Sequence, residues 1–147
     1  MTRVEFFFNV EDKFQKLAEL GEKAIAKNVK LMVLAQTDGH ATEIAHYLWR
    51  LPQQFLPNHP ANHPLAAETP IVVDWQGERL LHDEVLINLQ HPQPIFFSRF
   101  RRLIEIVGSD EEDKAEARVR YKFYRDRGYE IKSYDDAGNG ILPVRYD

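Results

Sequence analysis

The chain has 147 residues, of which 44% are hydrophobic and 29% are charged, and its net charge is −4. This composition is typical of one folded soluble domain and excludes wholesale disorder, while the acidic balance argues against general binding to duplex DNA, which requires a broad cationic surface. The chain has no cysteine. Disulfides, thiolate metal sites and cysteine nucleophiles are therefore excluded, and a reducing, cytoplasmic location is expected.

The first half of the chain alternates between strand and helix patterns. Residues 4–8 form a β-rich run, and apolar residues recur at helical spacing through residues 14–25. Residues 29–35 are nearly all apolar, as in a strand that is buried on both faces. Thr37 or Asp38 can cap a second helix, which carries apolar residues up to Trp49 and stops before Pro52. A long proline-containing loop is predicted at residues 57–70.

The second half continues the alternation. Strands are predicted at residues 71–75 and 85–89, followed by a helix that begins at Pro94 and extends through Val107. A capping box from Ser109 to Glu112 predicts the start of another helix, Gly128 its end, and residues 129–134 a last strand.

This order of elements predicts a single α/β domain with a largely parallel sheet and helices on both faces. The topology resembles that of nucleotide-binding domains, but the place of a glycine-rich phosphate loop is taken by residues 9–12, Asn-Val-Glu-Asp. We assign residues 1–134 to the domain and residues 135–147 to a C-terminal extension of unassigned role.

Catalytic and metal-binding patterns are sparse. His59 and His63 are four residues apart, but each precedes a proline, so a helix that would place both on one face is disfavoured. His40 and His46 are explained as solvated side chains, and the carboxylate clusters as a helix start and a turn. We therefore expect no cofactor and no metal, and the chain by itself is predicted not to be an enzyme.

Residues 114–127 reverse the charge of the chain, with six Lys or Arg against Glu116 and Asp126. At about 100° per residue, five side chains share an arc of about 100°. We call them the basic ridge: Lys114, Arg118, Tyr121, Lys122 and Arg125. A solvated helix face is the plain alternative, but the like charges four residues apart repel, and the nearby acidic residues Glu116 and Asp126 lie off the ridge, which favours a negatively charged ligand.

The faces beside the ridge receive other assignments. Ala115, Val119 and Phe123 occupy the adjacent arc and are predicted to face the core. Arg120 and Arg127 lie off the ridge and receive no role.

Two aromatic residues form a second feature. Trp49 and Phe55 flank Pro52 at the end of a predicted helix. They are either core residues or anchors for a partner protein, since large aromatic side chains beside a loop suit both.

Several segments together resemble one known family, the chi subunit of bacterial DNA polymerase III. They are EFFF in the first strand, KLMVLAQ, LWRLPQQFLP, PIVVDW and RYKFYRDRGY, and the resemblance covers residues 2–134 in order. It implies an α/β fold without a phosphate loop and a non-catalytic accessory subunit in DNA replication. Chi subunits bind the psi subunit of the clamp loader and the acidic C-terminal tail of the single-stranded-DNA-binding protein.

Carried over by position, the resemblance assigns the tail-binding residues to Val107, Lys114, Arg118, Tyr121 and Lys122, to which the ridge pattern adds Arg125, and it assigns the psi contact to Trp49 and Phe55. The cations would bind the carboxylates of the tail, while Tyr121 and Val107 would line a pocket for its terminal apolar side chain. DNA would then be contacted only indirectly. The competing hypothesis is direct binding of single-stranded nucleic acid along the same ridge.

Overall fold

Strands and helices alternate along most of the chain in the computed structural model, which describes residues 1–51 and 56–136 and the backbone of 142–143. The strands are β1 (Arg3–Val10), β2 (Leu31–Leu34), β3 (Asn58–Pro60), β4 (Ile71–Asp74), β5 (Val85–Asn88), β6 (Arg102–Gly108), β7 (Ile131–Asp135) and β8 (Leu142–Pro143). The helices are α1 (Lys13–Ala26), α2 (Asp38–Trp49) and α3 (Glu111–Asp126), with short 3-10 turns at Ala66–Glu68 and Phe97–Arg99.

The strands form one sheet in the order β3-β4-β2-β5-β6-β1-β7-β8. All neighbours from β3 to β7 are parallel, and β8 pairs antiparallel with β7 at the edge. Parallel strands require crossover connections, and the helices supply three of them: α1 from β1 to β2, α2 from β2 to β3 and α3 from β6 to β7. The predicted α/β domain with a largely parallel sheet is confirmed.

Alternation along the strands creates two cores, one on each face of the sheet. In β1, the side chains of Phe6 and Phe8 belong to the core beneath α3, whereas Phe7 and Val10 belong to the core beneath α1 and α2. Each face of the sheet is therefore covered by helix, as predicted. The positions of α2 and α3 on opposite faces also separate the two candidate surfaces described below.

The prediction of a helix that begins at Pro94 is wrong. After the 3-10 turn at Phe97–Arg99, the chain enters β6, which lies between β1 and β5 in the middle of the sheet. A strand that is buried on both faces reads as a continuous apolar run, and such a run carries no reliable period. The spacing of the apolar residues in this strand therefore also matched a helical pattern, as it does for Leu103, Ile104 and Val107.

The segment predicted as one long loop also contains regular structure. Asn58–Pro60 forms β3 at the edge of the sheet, and Ala66–Glu68 forms a 3-10 turn. Pro60 is tolerated there because an edge strand leaves backbone amides unpaired. The rings of His59 and His63 stack with centroids 3.9 Å apart.

Candidate protein-binding surfaces

Local signals define the ends of α3. Asp110 is the N-cap, and its Oδ1 accepts a hydrogen bond from the Asp113 amide at 2.7 Å. The predicted capping box began one residue too early, at Ser109. At the other end Arg127 is the C-cap, and Gly128 adopts a φ of 82°, a left-handed conformation that glycine accepts without strain.

The face that α3 buries differs from the predicted one. Ala117, Arg120 and Tyr124 are buried, whereas Val119 is 67% exposed. The prediction that Ala115, Val119 and Phe123 face the core is therefore wrong for the first two, and Phe123 is only partly buried. The buried face combines apolar contacts of Ala117 and Tyr124 with polar bonds to the sheet.

These bonds converge on the side chain of Glu105 in β6, which is fully buried. The Arg120 Nε donates to Glu105 Oε1 at 3.0 Å, and the Tyr124 hydroxyl donates to Glu105 Oε2 at 2.6 Å. Asn88 Nδ2 donates to both carboxylate oxygens, at 3.2 and 3.1 Å. Arg120 Nη1 also donates to the His91 carbonyl at 2.8 Å, which connects the loop after β5 to α3.

Burial raises the pKa of Glu105, while Arg120, Tyr124 and Asn88 oppose that rise by favouring the carboxylate. Burial, together with the neighbouring Glu105 charge, likewise raises the pKa of the Tyr124 hydroxyl. Sequence reasoning missed this cluster and left Arg120 without a role. A lone Glu in an apolar strand and an Arg within a helix rich in basic residues carry no local signal that they meet.

The basic ridge lies largely on the solvent side of α3. Arg118, Lys122 and Arg125 are exposed, and Lys114 and Tyr121 are partly buried. The Tyr121 ring packs against Phe6 of β1 with centroids 5.4 Å apart, so its position is fixed from below. The structure therefore brings five predicted binding residues together on one accessible surface.

Val107 has a different environment from the ridge. Its side chain is 0% exposed and belongs to the core against which Tyr121 packs. It supports the surface from beneath and offers no exposed area to a ligand in this structure.

A nucleotide-binding fold holds phosphate at the N-termini of helices. In this chain, carboxylates of the chain itself lie at the corresponding positions. Asp12 Oδ1 accepts from the Phe14 and Gln15 amides of α1, and Asp113 Oδ2 accepts from the Gly108 amide at 2.6 Å. Lys13 pairs with Asp113 at 2.9 Å. Burial alone would raise the pKa of Asp113, but the bonds from Lys13 and Gly108 outweigh it and lower the pKa. The geometry gives no support to a phosphate cradle.

Trp49 lies on the opposite face from the ridge, at the end of α2. Its side chain is 37% exposed, and its indole N–H donates to the Asn58 carbonyl at 3.2 Å. A groove of about 470 Å³ runs beside α2, lined by Ala41, Ala45 and other residues of the same helical face and by Trp75. Phe55 lies outside the described residues.

Within the described ranges, no group of three or more His, Asp or Glu side chains is arranged to hold a metal ion. In the same part of the chain, no helix combines the length and apolar character needed to cross a bilayer.

A family model described as "DNA polymerase III chi subunit, HolC" matches residues 1–132. The chain belongs to the chi subunit family of DNA polymerase III. A chi subunit of Haemophilus influenzae is 34% identical over 106 residues, which is 71% of this chain and 74% of the relative. A chi subunit of Pseudomonas aeruginosa is 27% identical over 91% and 96% of the two chains, and that of Escherichia coli is 22% identical over 81% and 82%.

Membership in the chi family assigns the chain to DNA replication and implies partners within the polymerase III holoenzyme. The family model ends within β7, so the whole segment assigned to a C-terminal extension, residues 135–147, lies beyond it.

Proposed function

We propose that this chi subunit is a non-catalytic linker that joins the clamp loader, through psi, to the acidic C-terminal tail of the single-stranded-DNA-binding protein. The observation that carries the proposal is the basic ridge. Lys114, Arg118, Lys122 and Arg125 offer cations on one accessible helix face, beside a tyrosine that is held in place by Phe6. A peptide that is acidic and ends in an apolar residue matches both components.

The cations and the tyrosine contribute differently to binding. An exposed ion pair contributes about 0.2–1 kcal/mol, whereas burial of an aromatic side chain contributes about 1.5–3 kcal/mol. Arg118 is the best candidate for a bidentate contact with a carboxylate, because its guanidinium presents parallel donors. After the cost of association, a dissociation constant of about 1 μM is expected.

Substitutions at the ridge test the tail-binding half. Arg118→Ala or Tyr121→Ala is expected to weaken binding of a synthetic tail peptide by about tenfold or more, which corresponds to about 1.4 kcal/mol, without unfolding the domain. Lys27→Ala, an exposed cation at the end of α1, is the matched control. Calorimetry with unchanged affinity in both ridge variants would contradict the assignment. Affinity should also fall as ionic strength rises.

Trp49 supports the psi half of the proposal. A half-exposed indole beside a groove along the same helix is a suitable anchor for a partner protein. We assign Trp49 to psi binding, and Phe55 by its position in the sequence. Trp49→Ala is expected to reduce co-purification with psi, whereas Trp75→Ala, at an equally exposed residue that lines the groove, tests how far the contact extends.

Direct binding of single-stranded nucleic acid is the second candidate, and it would use the same ridge with Tyr121 stacking on a base. One helix face on a chain of net charge −4 is a short track for a phosphate backbone. Parallel salt titrations with an oligonucleotide and with the tail peptide distinguish the two candidates. Tighter binding of the oligonucleotide at physiological salt would favour the second.

A further inference from the structure

The orientation of α3 contradicts the apolar pattern of its own sequence. At 100° per residue, the centre of the buried face lies about 130° around the helix axis from the centre of the apolar stripe. The buried face consists of Ala117, Arg120 and Tyr124, and the apolar stripe of Ala115, Val119 and Phe123. As a result Arg120 is 3% exposed while Val119 is 67% exposed. A helix on an apolar sheet ordinarily buries its apolar stripe, so another interaction must determine the rotation.

That interaction is the set of bonds to Glu105. Arg120 and Tyr124 lie four residues apart and reach the two oxygens of one carboxylate, at 3.0 and 2.6 Å. Because β6 is in the middle of the sheet, Glu105 cannot move toward solvent to follow the helix. A rotation of α3 would therefore separate a buried carboxylate from its guanidinium counter-charge and leave the uncharged amide of Asn88 to bond it, which is strongly unfavourable.

We infer that Glu105, Arg120 and Tyr124 set the rotation of α3 about its axis and thereby determine which flank of the helix carries the basic ridge. In the observed rotation the ridge lies on the flank where Tyr121 packs on Phe6. Burial of the apolar stripe instead would move the ridge to the opposite flank and separate Tyr121 from Phe6. These three residues are positioning residues, since they act on a ligand only through the ridge.

A buried ion pair is better suited to fixing the rotation of a helix than to stabilising the fold. Replacement of a whole buried pair by apolar residues of similar size is often neutral or stabilising, while removal of one partner is costly. The triple variant Glu105→Leu, Arg120→Met, Tyr124→Phe removes the charges and the hydroxyl together. It is expected to fold, but to lose the preference for the observed rotation.

Cysteine labelling can measure the rotation directly, because the chain has no cysteine of its own. Val119→Cys and Ala115→Cys place a thiol on exposed positions of the apolar stripe, and Lys27→Cys, at an exposed position at the end of α1, is the control for changes in labelling that do not arise from α3. In the triple variant, labelling at positions 115 and 119 is expected to slow by about tenfold as the stripe becomes buried, while labelling at position 27 stays constant. Unchanged labelling at 115 and 119 in a folded triple variant would overturn the inference.

Two further variants make the result specific. Glu105→Gln keeps an acceptor for Arg120 and can pair with Tyr124, so the original labelling rates at positions 115 and 119 are expected to persist. Slower labelling at these positions would show that charge rather than hydrogen bonding sets the rotation, and it would overturn the inference as stated. If the triple variant does not fold, the double variant Glu105→Leu, Arg120→Met replaces it, because it removes both ends of the ion pair and leaves the Tyr124 hydroxyl without an acceptor at position 105. Unchanged labelling in this folded double variant would also overturn the inference.

The effect on tail binding rests on the proposed function, and the labelling does not. If the wild-type chain does not bind tail peptide, the proposed function fails while the labelling still decides the rotation. If it binds, the triple variant is expected to bind about tenfold more weakly, although every ridge residue is intact. The double variant Glu5→Gln, Arg102→Met, which removes an ion pair from the opposite face of the sheet, is the matched control.

Discussion

The contribution of the Glu105 cluster to stability can be measured most directly at the buried Tyr124 hydroxyl. Tyr124→Phe removes the 2.6 Å donor to Glu105 and changes nothing else in size. Because a buried acceptor then loses a partner, the free energy of unfolding is expected to fall by about 1–3 kcal/mol, as measured by urea denaturation. In a Glu105→Leu background the same substitution should cost much less, since the acceptor is already absent. An equal cost in both backgrounds would show that the bond is not the cause.

Individual residues were predicted from the sequence with uneven success. The five ridge residues share an exposed face because that depends only on the helical repeat. The role of Arg120 was missed because it depends on Glu105, fifteen residues away and in a segment predicted as helix. Val107 was assigned to a ligand pocket, but its strand lies in the middle of the sheet and its side chain is covered. Contacts between distant segments leave no mark in a local pattern.

At the scale of elements, the junction between β6 and α3 makes stability depend on acid pH. The pKa of Asp113 lies below its ordinary value of 3.8 in the folded chain. A carboxyl group with a lowered pKa contributes stability above its unfolded pKa, and that contribution disappears as pH falls through the folded pKa. Asp113→Asn is therefore expected to be less stable than the wild type at pH 7, by about 1–2 kcal/mol.

The difference between Asp113→Asn and the wild type should shrink as the pH falls below 3.8 and vanish once Asp113 is protonated in the folded chain. Urea denaturation at several pH values measures it. Glu112→Gln, which replaces an exposed acidic residue in the same turn, is the control and should show no comparable loss of stability. A deficit in Asp113→Asn that persists in acid would mean that the ion pair with Lys13 is not its origin.

Elements whose ends carry local chemistry were predicted well. Thr37 caps α2 and Gly128 follows α3, as their side chains and conformational freedom indicated. The helix predicted from Pro94 to Val107 failed because two-sided burial erases the alternation that identifies a strand. The order of strands was beyond sequence reasoning, since it depends on pairings across more than 90 residues, such as Arg3 with Arg102.

At the scale of the whole molecule, the sheet separates the two proposed binding surfaces. Trp49 belongs to α2 on one face and the ridge to α3 on the other. Since distant sites without shared partners act independently, Arg118→Ala is expected to leave psi binding unchanged and Trp49→Ala to leave tail binding unchanged. Pairwise binding measurements, and a ternary mixture on a sizing column, test both. Mutual exclusion of the two partners would contradict a linker.

The N-terminal strand β1 lies between β6 and β7, the last two long strands of the chain. During synthesis on the ribosome, β1 is made before β6 and β7, its two neighbours in the sheet, which follow some hundred residues later. Until then β1 is unpaired and rich in phenylalanine, and such late closure is slow and prone to aggregation. Because α3 connects those two late strands, the ridge of a nascent chain can be held against Phe6 of β1 only after β6 and α3 have been made.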